Sequence, residues 1–320
     1  MTLLKRGLSR RRVLQTGLAG IIGTGVAPLM FTKGAWAQEF CNNPTGDSVT
    51  LGFVMPLTGA YADEGADQQR AFLLAVEHLN GEGDGGMLTT FSSKALKGNG
   101  ILGKKVGYVT GDDQTKSDAG RDAARRMIER DGAIMISGCS SSGVAVAEQA
   151  LCQEMGVIYM AGLTHSNDTT GKDKKRYGFR HFFNAYQSGT AIAPVIGEAY
   201  GKDRRAYHLT SDYTWGWTQE ESIKNATEAM GWETVAAVRT PVGAGDFSQY
   251  LTPVLNSGAD VLILNHYGFD GVNSLTQAVQ FGMRERQANG KDFQIVLPLV
   301  SDLMAKGAGE AIKGVYGTAN

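Results

Sequence analysis

Several things are scarce in this 320-residue chain, and each scarcity closes off a class of function. It has only three cysteines, with no CxxC pair and no Cys/His spacing of the kind that holds zinc. It has no surplus of charge: 31 Lys+Arg stand against 32 Asp+Glu, a formal net charge of −1. A nucleic-acid binder needs a basic excess for phosphate contacts, so that class is excluded. The five histidines (His78, His165, His181, His208, His266) form no HExxH or related metal pattern, and no metal or other cofactor is expected. No apolar run is long and dense enough to span a bilayer. What is abundant is hydrophobic residues (42%) and glycine (43 residues), with a mean hydropathy of −0.19. This describes a globular α/β chain long enough for one large or two ordinary domains.

The N-terminus reads as an address. Ser9-Arg10-Arg11-Arg12-Val13-Leu14 is followed by an uncharged Gly/Ala-rich run over 16–32, then Lys33 and a small-x-small site ending at Ala37. A basic n-region, a short apolar core and such a site describe a signal peptide over residues 1–37, and the paired arginines resemble the twin-arginine export signal. The run is too short and too glycine-diluted for a membrane helix. Export places the remaining chain in the periplasm, where cysteines can pair. Cys41 follows Phe40, which argues against lipid attachment.

Downstream, β-branched runs alternate with helical periodicity. Strands are predicted at 49–55, 105–110, 133–137, 157–160, 205–210, 234–240, 261–265 and 293–297. Helices fall between them at 66–80, 117–130, 143–155, 187–200, 216–230, 247–257 and 270–281. On the first helix Ala71, Leu74, Ala75 and Leu79 form the apolar face. Gly156, Gly231, Gly258 and Gly282 stand just past helix ends, where a residue with positive φ is wanted. The alternation predicts parallel sheets flanked by helices. An irregular polar stretch after residue 164 divides it into two sets, the size of two lobes.

Ligands in such folds sit at the carboxyl ends of strands, so the residues after strands matter most. Three motifs there fail on context. Gly81–Gly86 matches GxGxxG but follows a helix, and Gly98–Lys104 lacks the Ser/Thr and helix of a P-loop. Gly138–Gly143 is one residue off a nucleophile elbow. Asp112 and Asp113 are read as caps of the next helix. Cys139 ends a strand, while Cys152 lies late on the returning helix, near the edge where Cys41 precedes the first strand; a Cys41–Cys152 disulfide follows, with Cys139 free.

One constellation adds up. Ser140-Ser141-Ser142 stands between a strand and a helix N-terminus, an anion-binding arrangement, and the Thr164 hydroxyl is within reach of the same anion. From the second set, Asp212-Tyr213-Thr-Trp215-Gly216 and His266-Tyr267-Gly-Phe269 place aromatics at the facing edge.

Taken in order, Pro56-Leu-Thr-Gly59, Leu74-Ala-Val-Glu77-His-Leu-Asn80, Asp112-Asp113, the triple serine, Ser211-Asp-Tyr-Thr-Trp-Gly216 and Ser257-Gly-Ala-Asp-Val261 give a pattern. It resembles the periplasmic solute-binding proteins of branched-chain amino acid-type (leucine/isoleucine/valine-binding) ABC transporters. The resemblance implies a type I periplasmic binding fold of two Rossmann-like lobes. The N-terminal lobe would cover 48–164, a first hinge crossing 165–184, the C-terminal lobe 185–313 and a second crossing 314–320. A return segment to the first lobe would be missing, which would leave apolar surface there. It also implies that Ser140 and Thr164 hold a ligand carboxylate with main-chain groups of Ser141 and Gly162. Tyr267 would bind from the far lobe, Trp215 and Tyr213 would wall the pocket, and Asp302 would take the ammonium. Glu64 stands where leucine-binding relatives carry an aromatic, with Tyr61 close by as a substitute. The function implied is capture of an amino acid or related small carboxylate by a monomer and delivery to a membrane permease, without catalysis. Alternatives are a receptor for an aromatic carboxylate, urea or short amide, and, more remotely, a serine hydrolase using Ser140 with His165 or His266.

Overall fold

The computed structural model describes residues 41–82 and 98–319. The expected export signal (1–37) and most of the Gly81–Gly86 loop lie outside the described residues. The chain begins with β1 (Ser48–Met55), α1 (Ala62–Leu79), β2 (Lys105–Asp112), α2 (Ser117–Glu129), β3 (Ala133–Gly138), α3 (Ser142–Met155) and β4 (Ile158–Ala161). After a 3-10 turn (Asn167–Thr170) come β5 (Gly178–Arg180), α4 (Ala185–Tyr200), β6 (Arg205–Ser211), α5 (Thr214–Ala229), β7 (Glu233–Thr240) and α6 (Ser248–Asn256). Then follow β8 (Val261–Asn265), α7 (Gly268–Gln280), a small hairpin of β9 (Gln287–Ala288) and β10 (Lys291–Asp292), β11 (Gln294–Val300), α8 (Asp302–Ala308) and β12 (Tyr316–Ala319).

Two five-stranded sheets result, ordered β2-β1-β3-β4-β5 and β12-β11-β8-β6-β7, with every pairing inside them parallel. The sequence pattern explains them. Central parallel strands are covered on both faces and read as continuous apolar runs, as in β8, where all five residues of Val-Leu-Ile-Leu-Asn are buried. In α2 the buried Gly120, Ala123, Ala124, Met127 and Ile128 recur at three- and four-residue spacing, which lays one stripe on the sheet. The expected helix-ending glycines all take positive φ, from 68° at Gly282 to 106° at Gly231.

The sequence reading missed some features. Gly178–Arg180 is not only connecting chain: it pairs with β4 as the edge of the first sheet. A strand at 314–318 was expected in the second crossing, and Tyr316–Ala319 does form one, paired with β11 at the edge of the second sheet. Three of the four residues assigned to the apolar face of α1 are turned outward, while Leu79 packs against the first-lobe core. Leu74 is 51% exposed, and Ala71 and Ala75 are exposed, while Glu64, Gly65 and Val76 are buried. Asp112 and Asp113 do not cap α2, whose N-cap, Lys116, makes no side-chain bond. Asp112 instead accepts from the Leu57, Thr58 and Gln114 amides and the Thr58 hydroxyl, while Asp113 accepts from Thr115 N–H. These bonds hold Gln114 and Thr115 at φ of 53° and 60°, a left-handed pair without glycine. Burial pushes the Asp112 carboxyl up, but these donors outweigh it and hold it below the usual range.

Cys41, Cys139 and Cys152 are all free thiols, so the expected Cys41–Cys152 disulfide is not formed. The shared edge is right, since Cys41 N–H donates to Gly156 O just past α3. The Cys152 side chain, however, is turned into the first-lobe core beside Leu151 and Val157, whereas Cys41 is exposed.

Candidate functional site

The β3–α3 junction sets up the first half of the site. Gly138 (φ 130°) crosses β1 so closely that a Cβ would lie 1.9 Å from Val54 O, and Cys139 follows at φ 56°. A non-glycine residue at that φ is strained, and such strain is held only where the surroundings over-determine it. The turn delivers the three serines to the carboxyl edge, but not as an open anion cradle. Ser140 Oγ accepts from Gln68 Nε2 at 2.6 Å. Ser141 is the N-cap yet makes no side-chain cap bond, and Ser142 Oγ accepts from Ser166 N–H at 3.1 Å. Gly162 N–H donates to Gly138 O at 2.7 Å, so the main-chain donor assigned to a ligand is already engaged. Thr164 is fully buried, and its hydroxyl has no hydrogen-bond partner. Buried polar groups are normally satisfied, which marks this hydroxyl as one with capacity left.

Between the carboxyl ends of the two sheets lies a cavity of about 340 Å³. From the first lobe it is lined by Glu64, Gln68 and Phe72, which follow one another at four-residue intervals down α1, and by Gly162 and Leu163 after β4. His181 and Phe182 reach it from the chain between the lobes. The second lobe contributes Tyr267, after β8, and Ser301, Asp302 and Leu303 at the start of α8. Burial raises the Glu64 carboxyl above its ordinary value, with smaller contributions from Asp63 and Asp67.

Of the residues singled out from sequence, Glu64, Gly162, Tyr267 and Asp302 line this cavity, whereas Tyr61, Ser140, Ser141, Thr164, Tyr213 and Trp215 do not. Tyr61 has a different partner set. It leaves the first lobe at the end of the β1–α1 loop and is wholly buried in the hydrophobic cluster of the second. Its ring lies 6.4 Å from Tyr213 and 6.0 Å from Tyr267, and its hydroxyl donates to the Tyr213 hydroxyl at 3.1 Å. Trp215 packs edge-on behind Tyr267 and is 2% exposed, a core position. The lobes approach so closely here that a Cβ on Gly268 would fall 2.8 Å from the Tyr61 ring and 3.1 Å from Glu64 Oε1.

The sequence reading did not find Gln68, Phe72, His181 and Phe182. The i, i+4, i+8 series from Glu64 was the available signal on α1. His181 and Phe182 carried none, because their position depends on how the chain passes between lobes.

Three of the five histidines, His165, His208 and His266, are buried in structural hydrogen bonds. His266 holds Thr240 Oγ1 at 2.9 Å with Nε2 and Ser274 Oγ at 2.8 Å with Nδ1. His165 Nδ1 donates to Phe183 O at 2.7 Å, and His208 Nδ1 lies 3.3 Å from Asn265 Nδ2. Burial holds all three imidazoles neutral, His165 down to about 4 and His208 and His266 down to about 3. Both nitrogens of His266 are engaged away from Ser140, whose hydroxyl is held by Gln68, so that pair of the hydrolase reading is not assembled. Among the described residues no cluster of His, Cys, Asp and Glu is placed to hold a metal ion, and no helix is long and apolar enough to cross a membrane.

Two parallel sheets joined by crossing chain, with a cavity between their carboxyl ends, define a two-lobed ligand-binding protein. Residues 48–320 match the family model described as periplasmic binding protein, and the chain belongs to that family. It is similar to a Leu/Ile/Val-binding protein homolog 7 of Brucella suis biovar 1 (strain 1330), 25% identical over 253 residues, 75% of this chain and 58% of the relative. The chain thus spans less than two thirds of that relative's length. Among solved structures it resembles an amino acid ABC transporter substrate-binding protein of Pseudomonas fluorescens Pf-5. That match has a TM-score of 0.70 and 24% identity, over 86% of this chain and 67% of the other. It also resembles an ABC transporter solute-binding protein of R. palustris in complex with 4-hydroxybenzoate, with a TM-score of 0.65 and 21% identity over 78% and 61%.

Proposed function

We propose that this protein is the substrate-binding component of an ABC importer, exported to the periplasm by the twin-arginine route. It captures an amino acid or related small carboxylate between its lobes and delivers it, as a monomer, to a membrane permease. It does no chemistry. The observation that carries this reading is the cavity between the strand ends of two lobes, lined from both of them. The hinge includes the chain between β5 of the first sheet and α4 of the second, residues 181–184, and ligand contacts made from both sides bias the lobes toward closure.

The test is thermal unfolding of the full chain with amino acids, aromatic acids, urea and amides. A ligand at 100 times its Kd is expected to stabilise by about 2.7 kcal/mol. Ester turnover abolished by Ser140→Ala, with no ligand-induced stabilisation, would overturn the proposal. A second reading, an aromatic carboxylate as ligand, is favoured by the rings of Phe72, Phe182 and Tyr267 in the wall and by the relative that holds 4-hydroxybenzoate.

A further inference from the structure

The charge of the cavity wall has one sign. Glu64, Asp67 and Asp302 line it, and no lysine or arginine is among its described lining residues. Asp67 is exposed and pairs at 2.8 Å with Arg70 on its own helix, which leaves Glu64 and Asp302 uncompensated. These two enter from opposite lobes, Glu64 on α1 and Asp302 on the first turn of α8. Glu64 is 5% exposed, and no ion pair to it is recorded among the described residues. A carboxylate removed from water without a cation opposite is unfavourable, so this position is completed by a positive group. The remaining wall suits one as well, because Phe72, Phe182 and Tyr267 present rings to which an ammonium or guanidinium is attracted. On the side where an anion was expected, Ser140 Oγ and Gly162 N–H are engaged by Gln68 and Gly138.

We propose that the cleft selects a ligand of net positive charge, a basic amino acid or an organic diamine or guanidino amine. Its cationic head sits between Glu64 and Asp302 and against the aromatic rings. This rests on the cleft being the solute site and narrows what that site accepts. A benzoate-type ligand brings its charge toward two carboxylates, and a neutral amino acid leaves one of them unanswered. His181, exposed at the cavity, is the one basic side chain among its described lining residues.

The experiment is isothermal titration of the full chain at pH 7.5 with L-lysine, L-arginine, cadaverine, agmatine, L-leucine and 4-hydroxybenzoate. At least one cation is expected to bind tenfold or more tightly than L-leucine. Cadaverine and agmatine, which lack the carboxylate, report whether an anion site contributes. Glu64→Gln is expected to weaken the cation by roughly 30-fold or more, as truncation of a buried charge partner does. The exposed Asp302→Asn, which places no demand on folding, is expected to weaken it by about tenfold. L-leucine or 4-hydroxybenzoate binding as tightly as every cation overturns the proposal and leaves the receptor reading intact. Binding by none of the six overturns both. Cation binding indifferent to both substitutions places the cation elsewhere and overturns the proposal.

Discussion

Tyr61→Ala is expected to open the unliganded protein. The side chain belongs to the first lobe by sequence and to the second by packing. It is 0% exposed, lies among Tyr213, Trp215 and Tyr267, and donates a hydrogen bond to Tyr213. Truncating a buried aromatic costs roughly 3–5 kcal/mol. Because these contacts exist only while the lobes meet, the loss falls on the closure equilibrium. About 3 kcal/mol there changes the open-to-closed ratio by more than 100-fold. Small-angle scattering should then show a larger radius of gyration for the variant. Ligand affinity should fall with the closed population, although Tyr61 does not line the cavity. Tyr61→Phe removes the hydroxyl alone and should cost about 1 kcal/mol. A variant with unchanged scattering and a large loss of thermal stability would instead make Tyr61 an ordinary core residue.

A second large effect is expected at Asp113. Its Oδ2 has no hydrogen-bond partner, and it shares a buried corner with Glu148, neither of whose oxygens has one. The two approach across Gly120, where a Cβ would sit 2.8 Å from Glu148 Oε1 and 3.2 Å from the Asp113 Cβ. Burial first, and the neighbouring Asp112 second, push the Asp113 carboxyl up to about 7. Burial, then Asp113, push Glu148 well above its usual value. In the folded state Asp113 keeps its proton up to about pH 7, whereas in the unfolded chain it loses it near pH 4. Between those values unfolding releases a proton, so the stability present below pH 4 is lost as pH rises to about 7. Asparagine preserves the acceptor for Thr115 N–H but cannot ionise. Asp113→Asn is therefore expected to stabilise by about 1 kcal/mol at pH 4.5 and by about 4 kcal/mol at pH 8. Urea unfolding of both proteins at each pH checks this; a difference that does not change with pH would remove the argument.

The fold was legible because its signals are local. β8 and β11 read as buried runs, and the glycines that end helices stand where positive φ is needed. The short β5 was hidden because three residues after a polar stretch have no period, and only pairing with β4 makes them a strand. On α1 apolar residues were taken to face inward, whereas the buried face carries Glu64 because it meets the cleft and the opposite lobe. The site was legible in part for the same reason. Tyr267 and Asp302 follow strands of the second sheet and do line the cavity. Tyr61, Tyr213 and Trp215 are just as aromatic and just as close to strand ends, yet they meet one another instead. Which of these happens is decided by the placement of one lobe on the other, a long-range property that no local pattern records. Gln68 is a polar residue within a helix, and nothing in its neighbours announces that it would reach Ser140.

The neutral imidazoles of the second lobe work against its stability in acid. His208 and His266 resist protonation to about pH 3, while in an unfolded chain they take up protons from about pH 6.5 downward. Acid therefore draws the second lobe toward unfolding over the same range in which it relieves the carboxyl pair of the first. The two lobes should therefore answer acid with opposite sign, the imidazoles weakening the second while the carboxyl corner of the first gains.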